Sequence, residues 1–513
     1  MELALLIAGL LALATLFRSL AFVLSPDGAG VDHWFWKSYV EEYRRSGVFP
    51  PQLPQYVLDD KQWYPPLFAL VLAGMPKRVF DSYSHIVAMI IDLARMLLLL
   101  YLAHWLSGGN LRVIAVAGLI YATTPIQTSY NIQLNPRGLA AIMLDALLIL
   151  LLVAITFPRT WVWAAIVFVG ALILLTHKMT TQLLVVITVT TAAVYVRPDL
   201  LLLLPAWFVA AMVLSKGFYW KVLVAHLEIV QFWHRNWRWI GADLLRESPV
   251  YGDGVYQRPE KLHKPGLRGV VWHAFIMFGF NPAVWLACAL VYERLFLRSA
   301  IYPTPLLLWL LVPCAWALAT SFIAPLKRFG AGYLYVYNTS LMASIVLALT
   351  FEYTLAPALS SALVGAALLF NTIGVAIYYR QFMTNRRTRV DDGLERMIEQ
   401  LRAQPKGVVM CVPVNWCEVV AYRTGHPVLW GGHGLGFDRL QPTWPRMLLP
   451  IQQVIEQYGI RYLLTMDGML PANFVADLPP ARVVTHQDYR LYCFGAGDGY
   501  NKEVRPAPSP SNK

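Results

Sequence analysis

Asp32 follows the first long apolar run of the chain and opens an aromatic stretch, Trp34 to Arg45. A carboxylate at the edge of an apolar layer can take a proton from a hydroxyl, and partial burial makes it a better base by raising its pKa. Cations that could complement it sit in the short polar breaks between later apolar runs. They are Arg137 after Asn135-Pro136, the His177-Lys178 pair, and Lys327-Arg328 within Ala324–Gly332. Cations of this kind suit a leaving group that gathers negative charge, phosphate above all. Each residue also has a plainer reading. Asp32 could be a helix N-cap, and Arg137, Lys327 and Arg328 could anchor at lipid head groups. His177 could satisfy a buried carbonyl. Asp27 precedes Gly28 and reads as a turn. Asp59 and Asp60 could hold a metal or an acceptor, or be solvated loop charge.

The elements that must position these groups are apolar helices. The chain has 513 residues, 57% hydrophobic and only 14% charged, with mean hydropathy +0.50. Soluble proteins carry about 25% charged residues, so a soluble enzyme is excluded, as are disorder and coiled coil. The pattern predicts a polytopic α-helical membrane protein of about 11 transmembrane helices, since a crossing needs about 20 apolar residues. The expected spans are 3–24, 84–106, 111–127, 137–157, 161–176, 179–196, 199–215, 270–291, 301–323, 334–351 and 356–378. The net charge of +12 suits anionic lipid head groups or phosphate ligands. No zinc-finger spacing or basic helix points to nucleic acid. Met1 to Leu24 lacks a basic leader and a small-residue cleavage site, so it reads as a retained helix.

With a cytoplasmic N-terminus, Arg112, Arg159, Arg197, Arg294 and Arg298 fall in cytoplasmic loops. The long loops 25–83 and 216–269 and the tail from 380 then lie outside, on the side of Asp32 and the cation-bearing turns. The predicted organisation is a transmembrane domain over 1–379, a soluble extracytoplasmic α/β domain over 380–505 and a disordered tail over 506–513. In the tail domain Leu394, Met397, Ile398 and Leu401 mark an amphipathic helix. Strands are expected at Gly407 to Pro413, Pro427 to Trp430, Ile460 to Met466 and Tyr489 to Phe494, with a helix over Met447 to Tyr458. Gly431 to Gly434 is a weak phosphate-loop signal. Phe218 to Ile240, basic and aromatic, is expected to lie flat on the outer surface. Asp92 and Arg95 share a span at i, i+3 and are expected to pair with each other, with Asp145 able to join them. Of five cysteines, Cys288 and Cys314 read as packing residues; Cys411, Cys417 and Cys493 leave room for one disulfide in an external domain.

The first loop carries Asp32, then Gly47-Val48-Phe49-Pro50, then Tyr64-Pro65-Pro66-Leu67. This layout resembles the GT-C superfamily of membrane glycosyltransferases, whose first external loop holds an early catalytic acid, a juxtamembrane helix ending near G-x-x-P, and a YPPL-like return. The resemblance implies a lipid-linked sugar donor, a glycan, lipid or protein acceptor, and Asp32 as the catalytic residue. Arg328, in "LKRFGAGYLYVYN", resembles the basic residue of a late external loop that meets the donor phosphate. His177-Lys178-Met179-Thr180 is similar to a His-containing external turn. The segments "QYGIRYLL" and "DYRLYCF" resemble strands of the external domains of such enzymes, which implies acceptor recognition or support. Trp237-Arg238-Trp239 is not the WWD-type motif of oligosaccharyltransferases, which disfavours en bloc protein N-glycosylation. A divalent metal serves some members and not others, and no His/carboxylate cluster decides the point here. Two alternatives stand. A flippase for lipid-linked saccharide would explain the intramembrane charges but predicts internal repeats that are not found. An O-antigen polymerase or ligase would rely on Arg and His without a catalytic Asp.

Overall fold

The computed structural model describes residues 1–24, 30–58, 61–157, 159–236, 251–252, 267–297, 304–353, 355–386, 389–431 and 436–495. Asp27, Asp59, Asp60, Trp237–Trp239, the glycine run 432–435 and the tail 506–513 lie outside them.

Six helices are long and apolar enough to cross a membrane: Glu2–Leu24, Lys77–Leu106, Arg137–Ile155, Pro305–Phe322, Tyr333–Tyr353 and Pro357–Thr384. Two sharply bent pairs raise the number to eight if each counts as one span. Leu111–Thr123, Thr160–Leu174 and Lys178–Val194 are apolar but shorter. At about 1.5 Å per residue, helices of this length fall short of a hydrocarbon core about 30 Å thick. Length and composition therefore support six to eight spans among the described residues, rather than about eleven. Proline explains part of the difference. The apolar run 111–127 stops at Thr123, because Thr124 turns extended before Pro125 and a new helix, Pro125–Asn131, begins there. The run 270–291 breaks at Asn281-Pro282 with a 92° bend, since Pro282 cannot donate to the helix before it.

The helix Ser340–Tyr353 is enclosed by other helices, with Ala343, Ser344 and Ala348 letting backbones approach closely. Four charges are buried in the same body. Arg18 of the first helix pairs with Asp92, which also accepts from the Tyr121 hydroxyl at 2.6 Å. Arg95 pairs with Asp145 at 2.5 Å and donates to the carbonyls of Tyr337 and Asn338 at 3.2 and 3.0 Å. The expected Asp92–Arg95 pair is thus corrected. Although both lie on one helix, each finds its partner on a neighbour, and the two ion pairs tie several helices together.

After Thr384 the chain forms a four-stranded sheet. Ile460–Met466 runs parallel to Val408–Val412 on one side and antiparallel to Tyr489–Phe494 on the other. Ala481–His486, not expected from the sequence, pairs beyond Tyr489–Phe494 at the edge. Its half-exposed face explains the missing apolar signal. The expected strand Pro427 to Trp430 makes only single bridges, from Val428 to Val409 and to Tyr56. Helix Asp392–Arg402 starts where the Asp391 carboxylate accepts from the Leu394 amide at 2.9 Å, and buries Leu394, Met397, Ile398 and Leu401. None of the five cysteines forms a disulfide. Cys411 and Cys493 lie in strands separated by a third, Ile460–Met466, so about two strand spacings of ~4.8 Å hold them apart, beyond disulfide reach.

The first loop and this sheet share one core. Trp34, Phe35, Trp36 and Tyr39 pack in the same buried cluster as Leu394, Met397, Val409 and Trp416. The backbone joins them too: the amides of Val57 and Leu58 donate to the carbonyls of Val428 and Leu429, and the Val428 amide donates to Gln55.

Candidate functional site

Asp32 lies in the first turn of helix Val31–Ser46. The helix starts at Gly30, with φ 83°, and ends at Gly47 in the left-handed region, whose amide bonds back to the Tyr43 carbonyl. A Cβ at Gly30 would lie 1.9 Å from Gln133 Oε1. Only glycine, then, lets the helix end bearing Asp32 press against the loop that leads to Arg137. Acid near a helix N-terminus is favoured by the helix dipole. The last turn is fixed by Arg44, which donates to the carbonyls of Leu72, Ala73 and Met75 at 3.2, 3.2 and 2.5 Å.

The loop returns through Tyr64-Pro65-Pro66-Leu67. The Leu67 amide donates to the Leu175 carbonyl at 2.8 Å, which delivers Tyr64 to the turn holding His177 and Lys178. The Lys178 ammonium lies 4.9 Å from the Tyr64 ring centroid. His177 caps helix Lys178–Val194, its Nδ1 accepting from the Thr180 amide. Arg137 begins its own helix. The Asn135 side chain accepts from the Arg137 amide at 3.0 Å, and the guanidinium lies 4.4 Å from the Tyr130 ring centroid.

Electrostatics bind these residues into one cluster. The Tyr64 phenol is pushed up by burial and then by the charge of Asp32, with Arg137 opposing. The His177 imidazole is pushed well below its ordinary value, first by burial and then by Arg137, with Asp32 opposing. Four of the residues picked from the sequence, Asp32, Arg137, His177 and Lys178, therefore meet, and Tyr64 meets them. Burial thus favours the uncharged imidazole at His177, which leaves Arg137 and Lys178 as the cations beside it.

Lys327 and Arg328 lie in the short turn Ala324–Phe329. Arg328 Nη1 is 3.4 Å from His234 Nδ1. Its Nε is buried and has no partner among the described residues, a donor that gains by meeting an acceptor. This turn joins the cluster through side chains the sequence did not single out. The Tyr335 hydroxyl contacts both the Phe329 carbonyl, at 2.7 Å, and Gln182 Oε1, at 2.5 Å. Gln182 in turn lies 2.6 Å from His226 Nε2. Gly330 comes so close to Met179, the residue after Lys178, that a Cβ there would lie 3.1 Å from its methyl. One polar residue inside an apolar run, Gln182, was the available signal. Among the described residues no three His, Cys, Asp or Glu side chains gather as a metal site, and Asp59 and Asp60 fall outside them.

No protein-family model matches the sequence, and no curated protein matches it. Solved structures do. The chain is similar to the oligosaccharyltransferase of Archaeoglobus fulgidus solved with Zn and sulfate, with TM-score 0.57 and 12% identity over 90% of this chain and 68% of that one. The same enzyme tethered to an acceptor peptide containing the NVT sequon matches with TM-score 0.53 and 12% identity, over 91% and 69% of the two chains. ArnT from Cupriavidus metallidurans bound to undecaprenyl phosphate matches with TM-score 0.52 and 12% identity, over 96% of this chain and 98% of that one. At such identity the likeness shows the fold alone: this chain shares the fold of those enzymes.

Proposed function

We propose that this chain is an integral, multi-pass GT-C glycosyltransferase that moves a sugar from a polyprenyl-phosphate-type lipid to a hydroxyl acceptor. The observation that carries the reading is the meeting of Asp32, Tyr64, Arg137, His177 and Lys178 at one end of the helical body. Asp32 takes the proton of the acceptor hydroxyl as its oxygen attacks the anomeric carbon, and the configuration there inverts. The bond from that carbon to the phosphate oxygen breaks, and its electron pair stays on the phosphate. Arg137 and Lys178 stabilise the charge that grows there, with Arg328 and Lys327 beside them. Tyr64 fixes the Lys178 ammonium by its ring. A lipid phosphate suits a site at the end of apolar helices, and the solved complex of ArnT with undecaprenyl phosphate supports the same ligand class for this fold. The site, the first loop and the sheet domain all lie on the extracytoplasmic side of the plasma membrane in this reading. Asp92, Arg95 and Asp145 are each held in ion pairs, which favours a scaffold role for them over an ion pathway.

The test is sugar release and transfer from a panel of polyprenyl-phosphate sugars by the purified protein in nanodiscs, with Asp32→Asn beside wild type. Turnover of one donor, lost by orders of magnitude in the variant, supports the enzyme and its base together. Turnover that survives in Asp32→Asn keeps the enzyme and moves the base. Lipid-linked sugar that crosses the bilayer uncleaved overturns the reading.

A further inference from the structure

Helix Phe218–Arg235 turns by 119° from the apolar helix before it and is held from two sides. On one side is the C-terminal sheet domain. Glu228 accepts from the amides of Gly436 and Asp438 at 3.2 Å, and Arg235 pairs with Asp438 at 2.5 Å. Asn236, just past the helix, exchanges side-chain hydrogen bonds with Gln441 at 2.6 and 3.1 Å. Phe232 stacks parallel on Trp444, with ring centroids 5.8 Å apart. On the other side are the turns that carry the phosphate-binding cations. Gln182 links the Tyr335 hydroxyl, 2.5 Å from its side chain, to His226 Nε2, 2.6 Å away. His234 offers Nδ1 to Arg328 at 3.4 Å. Charge alone does not call for these contacts. Glu228 accepts two backbone amides, with the charge of Lys178 also acting on it, and His234 contacts the Arg328 guanidinium. Both contacts constrain position.

We propose that Glu228 and His234 are positioning residues, through which the C-terminal domain sets the place of Arg328 at the lipid-phosphate site. Glu228 fixes the helix to the domain and His234 fixes Arg328 to the helix. Arg328 Nε, buried and without a partner among the described residues, is thereby held where a phosphate oxygen would satisfy it. This inference rests on the glycosyltransferase reading above. It goes further in making the sheet domain part of the donor site rather than only of the acceptor site.

The test is binding of undecaprenyl phosphate to the full chain in nanodiscs, in a double-mutant cycle. His234→Ala and Glu228→Leu should each weaken binding about fivefold or more, and neither should weaken it much further once Arg328→Ala is present. Glu228→Gln, whose amide oxygen can still accept from Gly436 and Asp438, and His234→Gln should bind within twofold of wild type. The inference is overturned if Arg328→Ala weakens binding while His234→Ala and Glu228→Leu do not, or if their effects multiply with that of Arg328→Ala. Should Glu228→Leu fail to fold, His234→Ala carries the cycle. A wild-type chain that does not bind undecaprenyl phosphate at all is a different failure. It removes the lipid-phosphate reading itself, and this inference with it.

Discussion

Arg18, Asp92, Arg95 and Asp145 lie inside the helical body, while Asp32, Arg137, Lys178 and Arg328 lie at one end of it. Both groups set charge where water is scarce, yet they are balanced differently. Inside, each guanidinium meets one carboxylate and spends further donors on carbonyls such as Ala122, Tyr337 and Asn338. Net charge there is zero, which is how charge is tolerated in a membrane. At the end, Asp32 shares its surroundings with Arg137 and Lys178; buried atoms without a partner among the described residues occur in both groups, at Arg328 Nε and at Arg18 Nη2 and Asp145 Oδ1. A balanced set is scaffold. A set with excess positive charge is incomplete until an anion arrives.

That contrast can be broken by experiment. The largest effect should come from Asp32→Asn, which should lower transfer by about 10²–10⁴-fold, the usual worth of a general base, while thermal stability stays near wild type. A large fall in stability would put Asp32 with the scaffold. Next, Asp145→Asn leaves Arg95 buried without its carboxylate and should cost about 3–5 kcal/mol of stability, read by thermal or denaturant unfolding in detergent. Arg95→Met with Asp145→Leu should recover most of that loss, because an apolar pair also leaves no net charge. Arg137→Ala should weaken undecaprenyl phosphate binding by about tenfold, the loss expected of one charge-assisted hydrogen bond, with stability unchanged. Unfolding of that variant would mean that Arg137 is scaffold too. Gly30→Ala should cost about 1–2 kcal/mol through its left-handed backbone alone, and more by displacing Gln133. A drop in activity larger than the drop in stability would sharpen the claim that Gly30 places Asp32.

A further test concerns His33, the neighbour of Asp32. It is 1% exposed, and neither ring nitrogen has a hydrogen-bond partner among the described residues. Burial, then Lys37 and His85, push its pKa from 6.5 down to about 3. The unfolded chain therefore takes up a proton near pH 6.5 that the folded chain refuses until about pH 3. Its contribution to stability is complete above pH 6.5 and falls as pH drops through that window. His33→Leu should flatten the slope of melting temperature between pH 6.5 and 4.5. An unchanged slope would show that other groups set it.

How far the sequence was legible follows from what kind of signal each part leaves. Long apolar runs announced the helices, and the i, i+3, i+4, i+7 pattern announced Asp392–Arg402. Proline breaks at Pro125 and Pro282 were visible as residues but not as bends, because a run of hydropathy does not record direction. The ion pairs were misread for a related reason. Sequence spacing put Asp92 and Arg95 on one helix, whereas buried charges choose partners by helix packing, which spacing does not encode. At the site, Asp32, Arg137, His177 and Lys178 could be grouped because topology alone put them on one side. Gln182, His226 and Tyr335 could not, since their meaning lies in hydrogen bonds across three helices. The downward pull on the His177 imidazole was likewise beyond the sequence, because burial is its first cause.

The stitching of Gln55–Leu58 to Val428 and Leu429 has a consequence in time. A chain is made from its N-terminus, so the first loop is made ~370 residues before the segment it pairs with exists. At ~5–20 residues per second that is a wait of roughly 20–70 s. During it, the aromatic face of Val31–Ser46 has no sheet to bury against, and Asp32 and Tyr64 are not yet braced by the sheet domain. A half-made protein therefore holds only loose parts of its site. On the glycosyltransferase reading, reactivity arrives with the last quarter of the chain, and a nonsense mutation beyond the final apolar helix would leave the first loop without the sheet it packs against.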